Sequence, residues 1–337
     1  MAQRDRSLPR SYRAIDIPKI GGPEALVLRR KPMPRPLAHE MLIEVHAAGV
    51  NRADVMQRQG TYPMPPWAPR VPGLEIAGVV AQCGAEVGRW KPGDRVCALV
   101  IGGGYAEYCV APEVQCLPVP ERLSLVEAAG LPEVVFTVWI SIIEQAQLLP
   151  GETLLVHGGA SGVGSMAIQV ATAFGSPVIA TAGSDERCEA CRRFGAELAV
   201  NYRSSDFESA VRAHTKGEGV DVILDMVGAA YVERNISLLK TGGRLCYVAF
   251  PTGHQSSFDL RQVTMRRLKI TGVNLRHRPI PEKGRLARAI ERHVWPLVAR
   301  GRINPVIGVT MPLARAAEAH RLLEEGRVTG KAILVMR

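Results

Sequence analysis

Hydrophobic and polar positions alternate in two different ways along this chain. Up to about residue 130, apolar residues come in short runs cut by Gly and Pro: Met41-Leu42-Ile43-Glu44-Val45, Gly78-Val79-Val80-Ala81, Arg95-Val96-Cys97-Ala98-Leu99-Val100 and Tyr108-Cys109-Val110. Short runs bounded by turn residues predict strands, so this stretch reads as a β-rich, barrel-like unit. An Ala-rich apolar stretch from about residue 125, passing Trp139 and Leu149, then predicts a helix that stops at Pro150-Gly151. Beyond it the pattern changes to strand-helix alternation, with strands over 153–157, 177–181, 220–225, 243–250 and near 268–273. Helices are predicted over 163–174, over 184–194 and after Gly228. That order predicts a parallel, doubly wound sheet. The tail carries an Arg-rich amphipathic helix over 283–300, another over 313–325 and a last strand over 332–335, expected to fold back onto the first domain. The α/β organisation is therefore 1–130 for the first part of a β-rich catalytic domain, 131–272 for a dinucleotide-binding domain and 273–337 for the segment that completes the first.

With 337 residues, 47% of them hydrophobic, the chain has enough apolar surface for two cores. The net charge of +10 is Arg-based and scattered. Such a surface would attract polyanions, but it equally describes an Arg-favouring solvated face. Seven Cys without a regular framework indicate free thiols in a reducing, cytoplasmic compartment. The N-terminus lacks an apolar signal stretch, and no segment is expected to reach the roughly 18 uncharged apolar residues of a membrane span.

The chemistry-bearing string is His157-Gly158-Gly159-Ala160-Ser161-Gly162-Val163-Gly164, between a predicted strand and a predicted helix. A dinucleotide pyrophosphate needs side-chain-free backbone there, with amides and helix dipole facing the anion. Gly162 and Gly164 fit that need, with Ser161 and Val163 beside them. Ser161 breaks the strict G-x-G-x-x-G spacing, and Val163 excludes a G-x-S-x-G nucleophile elbow. After the next strand, Thr181-Ala182-Gly183-Ser184 offers no carboxylate for a ribose 2′-hydroxyl about 20 residues past the glycines. Ser184, Arg187 and Tyr202 follow instead and suit a 2′-phosphate, so NADPH is preferred. Asp185 is the contrary residue. Paired Cys spacings, H-E-x-x-H and dense His clusters are absent from the sequence, so no metal site is expected. Cys188-x-x-Cys191 falls inside a predicted helix and reads as packing.

Asn51-Arg52-Ala53-Asp54, Gln59-Gly60-Thr61-Tyr62-Pro63, Pro72-Gly73-Leu74-Glu75-Ile76-Ala77-Gly78, Gly93-Asp94-Arg95-Val96, the Gly159 to Gly164 cradle and Gly330-Lys331 resemble, over almost the whole chain, the zinc-independent quinone oxidoreductases of the medium-chain dehydrogenase/reductase superfamily. The string from Asn51 to Gly60 is similar to the branch that includes the human quinone reductase induced by the p53 tumour suppressor. Zinc-containing relatives carry Cys at the position of Asn51 and His-Glu where this chain has Leu74-Glu75. The resemblance implies a GroES-like catalytic domain made from both chain ends around an inserted Rossmann domain, and a homodimer. It also implies Asn51, Thr137, Phe250 and Leu275 at the nicotinamide, Gly162 to Gly164 at pyrophosphate, and Ser184, Arg187 and Tyr202 at the 2′-phosphate. Tyr62 would face the substrate; some relatives carry a second Tyr where this chain has Met56.

The expected reaction is hydride transfer from NADPH to a quinone, with Tyr62 and Asn51 as catalytic residues and the developing oxyanion stabilised by a nearby donor. Tyr62, a phenol neutral at pH 7, is a better hydrogen bonder than proton source. Reduction of an enal or enone double bond needs the same geometry and stays open. A non-catalytic NADPH- or RNA-binding role is the reading from another class, but aromatics make up only 5% and do not interleave with basic runs, so no nucleic-acid partner is expected.

Overall fold

The short apolar runs of the N-terminal third become strands because each places β-branched or small residues on a sheet face and ends at Gly or Pro. A computed structural model describes residues 8–62 and 64–336. They form two compact units, one of residues up to Glu133 plus those from Val309, the other Val134–Gly308.

In the first unit Glu40–Val50 is the central strand. It pairs antiparallel with Glu75–Cys83 on one side. Tyr108–Pro112 runs along its N-terminal half and Lys331–Val335 along its C-terminal half. Arg95–Leu99 and Cys116–Pro118 extend the sheet beyond Glu75–Cys83. Met41, Ile43 and Val45 alternate into a core with Ile76, Val96 and Ala98. This is the GroES-like β-rich unit, and the C-terminal strand closes it as expected from the sequence.

The second unit holds six parallel strands in the order Leu198–Asn201, Val178–Ala182, Leu154–His157, Val220–Asp225, Leu239–Tyr247, Lys269–Gly272. In chain order that is 3-2-1-4-5-6, the doubly wound Rossmann arrangement, with its reversal beside Leu154–His157. The helices Gly162–Ala173 and Asp185–Phe194 begin at Ser161 and Ser184, whose side chains accept the backbone N–H groups of Gly164 and Arg187. Ser is favoured at this position because it satisfies amides that have no intrahelical partner.

Four expectations are corrected. The helix expected to run from about 125 to 149 is broken. Leu125–Ala128 is a single turn held by a Ser124/Glu127 capping box, and a second helix starts at Pro132, which suits a first turn but not a helix interior. It then widens over Trp139–Gln145, where the Ala146 N–H reaches the Ser141 carbonyl. That run, Leu125–Gln145, is also long and apolar enough to cross a membrane, contrary to the sequence reading. Most of it is buried inside the fold, including Leu131, Phe136 and Ile140, as in a core helix. The strand expected over 243–250 is Leu239–Tyr247, which leaves Phe250 in the loop past its carboxyl end. Finally, the domain boundary expected at 272 lies inside the second unit. The tail helix is Ile280–His293, followed after Val294 by Trp295–Ala299. It is held there by the Arg285–Glu144 ion pair at 2.7 Å and by His293 stacked on Trp139 at 5.6 Å.

Candidate functional site

In the second unit the glycine-rich turn leaves the strand Leu154–His157 and enters the helix Gly162–Ala173. Gly158 sits at φ +69°, and a Cβ on Gly164 would lie 2.3 Å from the Gly158 carbonyl oxygen. Both positions need glycine, and together they fold the turn tightly against the start of the helix. Ser161 Oγ caps the Gly164 N–H at 3.0 Å, so its hydroxyl has a structural task. This cradle fits a dinucleotide pyrophosphate.

Behind the turn lies a buried polar chain that the sequence reading did not assign. His157, Thr181, Asp225 and Asn235 are each fully buried. His157 Nε2 meets Asn235 Oδ1 at 2.8 Å and its Nδ1 meets Thr181 Oγ1 at 3.0 Å. The Asp225 carboxylate can only accept, so Asn235 turns its Nδ2 to Oδ2 of Asp225. Asn235 Oδ1 therefore faces His157, which carries its hydrogen on Nε2 and accepts at Nδ1 from the Thr181 hydroxyl. Burial holds the His157 imidazole below its ordinary pKa, which keeps it neutral. Asp225 Oδ1 accepts the N–H groups of Val227 and Gly228, and the Thr181 backbone carbonyl accepts Gly159 N–H at 2.9 Å. The chain thus braces two strand-end turns at once. The signal in the sequence was a polar residue, His157 or Asp225, ending an otherwise apolar strand.

At the carboxyl end of Val178–Ala182, Ser184 caps its helix through Arg187 N–H at 3.3 Å. A Cβ on Gly183 would stand 2.8 Å from Tyr202 Oη and 3.6 Å from Arg203 Nε. Tyr202 and Arg203, a cation that the sequence reading missed, thus stand at this turn beside Ser184, and Arg187 lies in the first turn of the helix that Ser184 caps. Asp185 turns its carboxylate to Asn201 Nδ2 at 2.8 Å, which gives it a partner at the end of the neighbouring strand Leu198–Asn201. Elsewhere in this unit Thr137 and Leu275 are buried, whereas Phe250 is 49% exposed and lies 5.4 Å from the Tyr247 ring. Cys188 and Cys191 are buried, and burial pushes the Cys191 thiol up to about 12, so both behave as packing residues.

In the first unit Asn51 caps the helix Arg52–Gln59 and shares a capping box with Asp54, whose carboxylate accepts the Asn51 N–H at 2.9 Å. The Asn51 side chain donates from Nδ2 to Glu75 Oε1 at 2.9 Å and accepts at Oδ1 from Lys331 Nζ at 2.5 Å. Lys331 Nζ also pairs with Glu75 Oε1 at 2.5 Å and donates to the Val50 carbonyl at 3.1 Å. Glu75 Oε2 accepts the Glu133 N–H at 2.9 Å. Glu75 is fully buried and Lys331 nearly so, while Asn51 is half-buried. Gly49 makes room for this cluster, since a Cβ there would fall 2.1 Å from Glu75 Oε1. Tyr62 lies just after this helix, its N–H 3.3 Å from the Met56 carbonyl. Pro63, quoted beside it in the sequence reading, lies outside the described residues. Trp67 is 74% exposed. No group of three or more His, Cys, Asp and Glu side chains among the described residues is arranged to hold a metal ion.

Residues 37–121 match the family described as alcohol dehydrogenase GroES-like domain, and residues 162–292 the family described as zinc-binding dehydrogenase. With the doubly wound sheet and its cradle, these matches define an oxidoreductase of the medium-chain dehydrogenase/reductase superfamily, whose Rossmann domain binds a nicotinamide cofactor. Over 329 residues the chain is 34% identical to the quinone oxidoreductase of Homo sapiens, covering 96% of this chain and 98% of that protein. The chain belongs to the quinone oxidoreductase family within that superfamily. Among solved structures, an NAD-dependent alcohol dehydrogenase aligns at 34% identity with a TM-score of 0.86, covering 96% of this chain and 100% of that one. A mycobacterial protein complexed with NADPH aligns at 29% identity with a TM-score of 0.87, again covering 96% and 100%.

Proposed function

We propose that this oxidoreductase is an NADPH-dependent quinone reductase that works without a bound metal. The observation that carries the cofactor choice is the turn around Gly183, where Ser184, Arg187, Tyr202 and Arg203 gather while Asp185 is engaged by Asn201. Two guanidinium groups and two hydroxyls match a 2′-phosphate, which an acidic side chain aimed at the same place would repel. The Ser161 to Gly164 turn holds the pyrophosphate, with the Gly162 and Val163 amides as donors, since the Ser161 and Gly164 N–H groups are bonded within the turn. Thr137, Phe250 and Leu275 serve the nicotinamide end. NADPH supplies a hydride equivalent when bound.

In the first unit, Asn51 stands where zinc-containing relatives carry Cys and Leu74-Glu75 where they carry His-Glu, and Glu75 is taken up by Lys331 and Asn51. Hydrogen-bond donors then do the work of a Lewis acid: Asn51 Nδ2–H and the Tyr62 hydroxyl stabilise the oxygen on which negative charge develops. The chain is further inferred to act as a homodimer joined along the edge strand Lys269–Gly272, which carries the exposed Ile270. Its seven free thiols favour a reducing, cytoplasmic compartment. The proposed partners are small-molecule quinones, not nucleic acid or a membrane.

The test follows NADPH and NADH absorbance with benzoquinone, naphthoquinones and an enone at matched concentrations, with and without a chelator. Chelator-resistant, NADPH-preferring quinone turnover is expected. Turnover of the enone alone would replace the substrate class, and tight NADPH binding without oxidation by any acceptor would overturn the enzymatic reading.

A further inference from the structure

Lys331 has a place in this site beyond its pairing with Glu75. An ammonium group can only donate, and its three contacts at Val50, Asn51 and Glu75 account for all three hydrogens. A carboxylate can only accept, and Glu75 takes Lys331 and Asn51 on Oε1 and the Glu133 N–H on Oε2. Between these two groups the Asn51 carboxamide has one allowed orientation. Its oxygen must face Lys331 and its nitrogen must face Glu75. Nδ2 spends one hydrogen on Glu75, and its remaining contact, to the Gly49 carbonyl, is at 3.5 Å, the outer limit of a hydrogen bond. Of the three side chains only Asn51 is more than marginally exposed.

We propose that Lys331 is a positioning residue for the reaction. Its buried ammonium locks the Asn51 carboxamide so that an Nδ2–H, never the carbonyl oxygen, is presented to the reacting oxygen, and it polarises that amide into a stronger donor. Without Lys331 only Glu75 holds the carboxamide; its oxygen loses the cation that fixes and polarises it, and the Nδ2–H becomes a weaker, less fixed donor. This inference rests on the reading that Asn51 acts at the reacting oxygen. The contact joins residues 280 positions apart in sequence, and the cationic Nζ sits against the charge-neutral amide of a half-buried residue, which a purely structural ion pair with Glu75 would not require.

The experiment is a double-mutant cycle with Asn51→Ala, Lys331→Met and the combined variant. It measures kcat and KM for a naphthoquinone together with NADPH affinity. Each single change is expected to lower kcat roughly 10- to 100-fold while KM and NADPH affinity stay within about 3-fold. The combined variant should be no slower than the slower single, and Lys331→Arg should recover part of the loss. Multiplying losses, or a Lys331→Met enzyme with wild-type kcat beside a slow Asn51→Ala, would overturn this inference alone. Wild-type turnover by Asn51→Ala would overturn the reading of Asn51 and this inference with it. Should Lys331→Met fail to fold, because it strands the Glu75 carboxylate, the neutral pair Glu75→Gln with Lys331→Met takes its place in the cycle with the same expectation. A readout independent of turnover is the Asn51 side-chain amide resonance, assigned by its loss in Asn51→Ala. It should shift in Lys331→Arg and move toward the position of an unbound carboxamide when Lys331 is replaced by Met. An unmoved signal would refute the locking.

Discussion

Gly164→Ala tests the cradle through its backbone alone. A Cβ at this position would lie 2.3 Å from the Gly158 carbonyl oxygen and 2.7 Å from the Gly159 Cα. Both neighbours are backbone, so no side chain can swing aside, and the turn must open by roughly 1 Å to reach ordinary contact distance. Opening the turn pulls the amides away from the phosphate oxygens they would meet. A hydrogen bond to a charged group contributes about 1.5–3 kcal/mol. Losing a single one therefore weakens NADPH binding by roughly 10- to 150-fold. The assay is titration of NADPH against the purified variant by fluorescence or calorimetry, with circular dichroism to establish that the sheet is intact. Gly88→Ala is the control, because a Cβ on Gly88 meets nothing within 4 Å and affinity should be unchanged. If Gly164→Ala binds NADPH within about 3-fold of wild type, the close approach of the turn to the helix is not what shapes the phosphate site, and the reasoning fails.

Replacing Arg187 and Arg203 together by Ala should lower kcat/KM for NADPH at least about 10-fold while leaving NADH little changed, since only the 2′-phosphate loses charge-assisted partners; an unaltered NADPH/NADH ratio would place that phosphate elsewhere. His320 makes folding stability pH-dependent. Burial and then the Arg58 charge push its folded pKa from 6.5 down to about 3. Below pH 6.5 the unfolded chain takes up a proton that the folded chain refuses. Its contribution is accordingly complete above that pH and is lost as pH falls toward 3, at up to about 1.4 kcal/mol per unit. Urea unfolding at pH 7 and 5.5 should show His320→Gln losing about 1 kcal/mol less than wild type over that interval. Superimposable pH slopes would rule this out.

The Rossmann sheet was legible because its strands are apolar runs of the right length separated by amphipathic helices, and a Gly-rich turn marks the first crossover. Residues close in sequence, such as Ser161 with Gly164 and Ser184 with Arg187, were legible for the same local reason. Pro132 is an ordinary sequence signal for a helix start, yet it was masked by the apolar stretch on either side. The helix Ile280–His293 shows an apolar face without saying which core receives it. Only its Arg285 contact with Glu144 and its His293 stacking on Trp139 assign it to the second unit. Glu75 and Lys331 lie too far apart in the chain for any local pattern to pair them. Arg203 was hidden because Gly183, the residue it approaches, leaves no side-chain trace of the contact.

The strand Lys331–Val335 lies along Glu40–Val50, and this has a consequence for how the molecule is made. The second unit is one uninterrupted run, Val134–Gly308, so its sheet can assemble on the ribosome before residue 309 is translated. The first unit begins earlier and finishes later. Until Lys331–Val335 is translated, the C-terminal half of one edge of Glu40–Val50 is an open template of unpaired N–H and C=O groups, and Asn51 has no ammonium beside it. A nascent chain stalled just short of residue 331 would carry a complete dinucleotide fold with an unfinished sheet. Termination before Lys331 would therefore yield an aggregation-prone species with a finished dinucleotide-binding fold, and quality control that recognises exposed strand edges would meet it there.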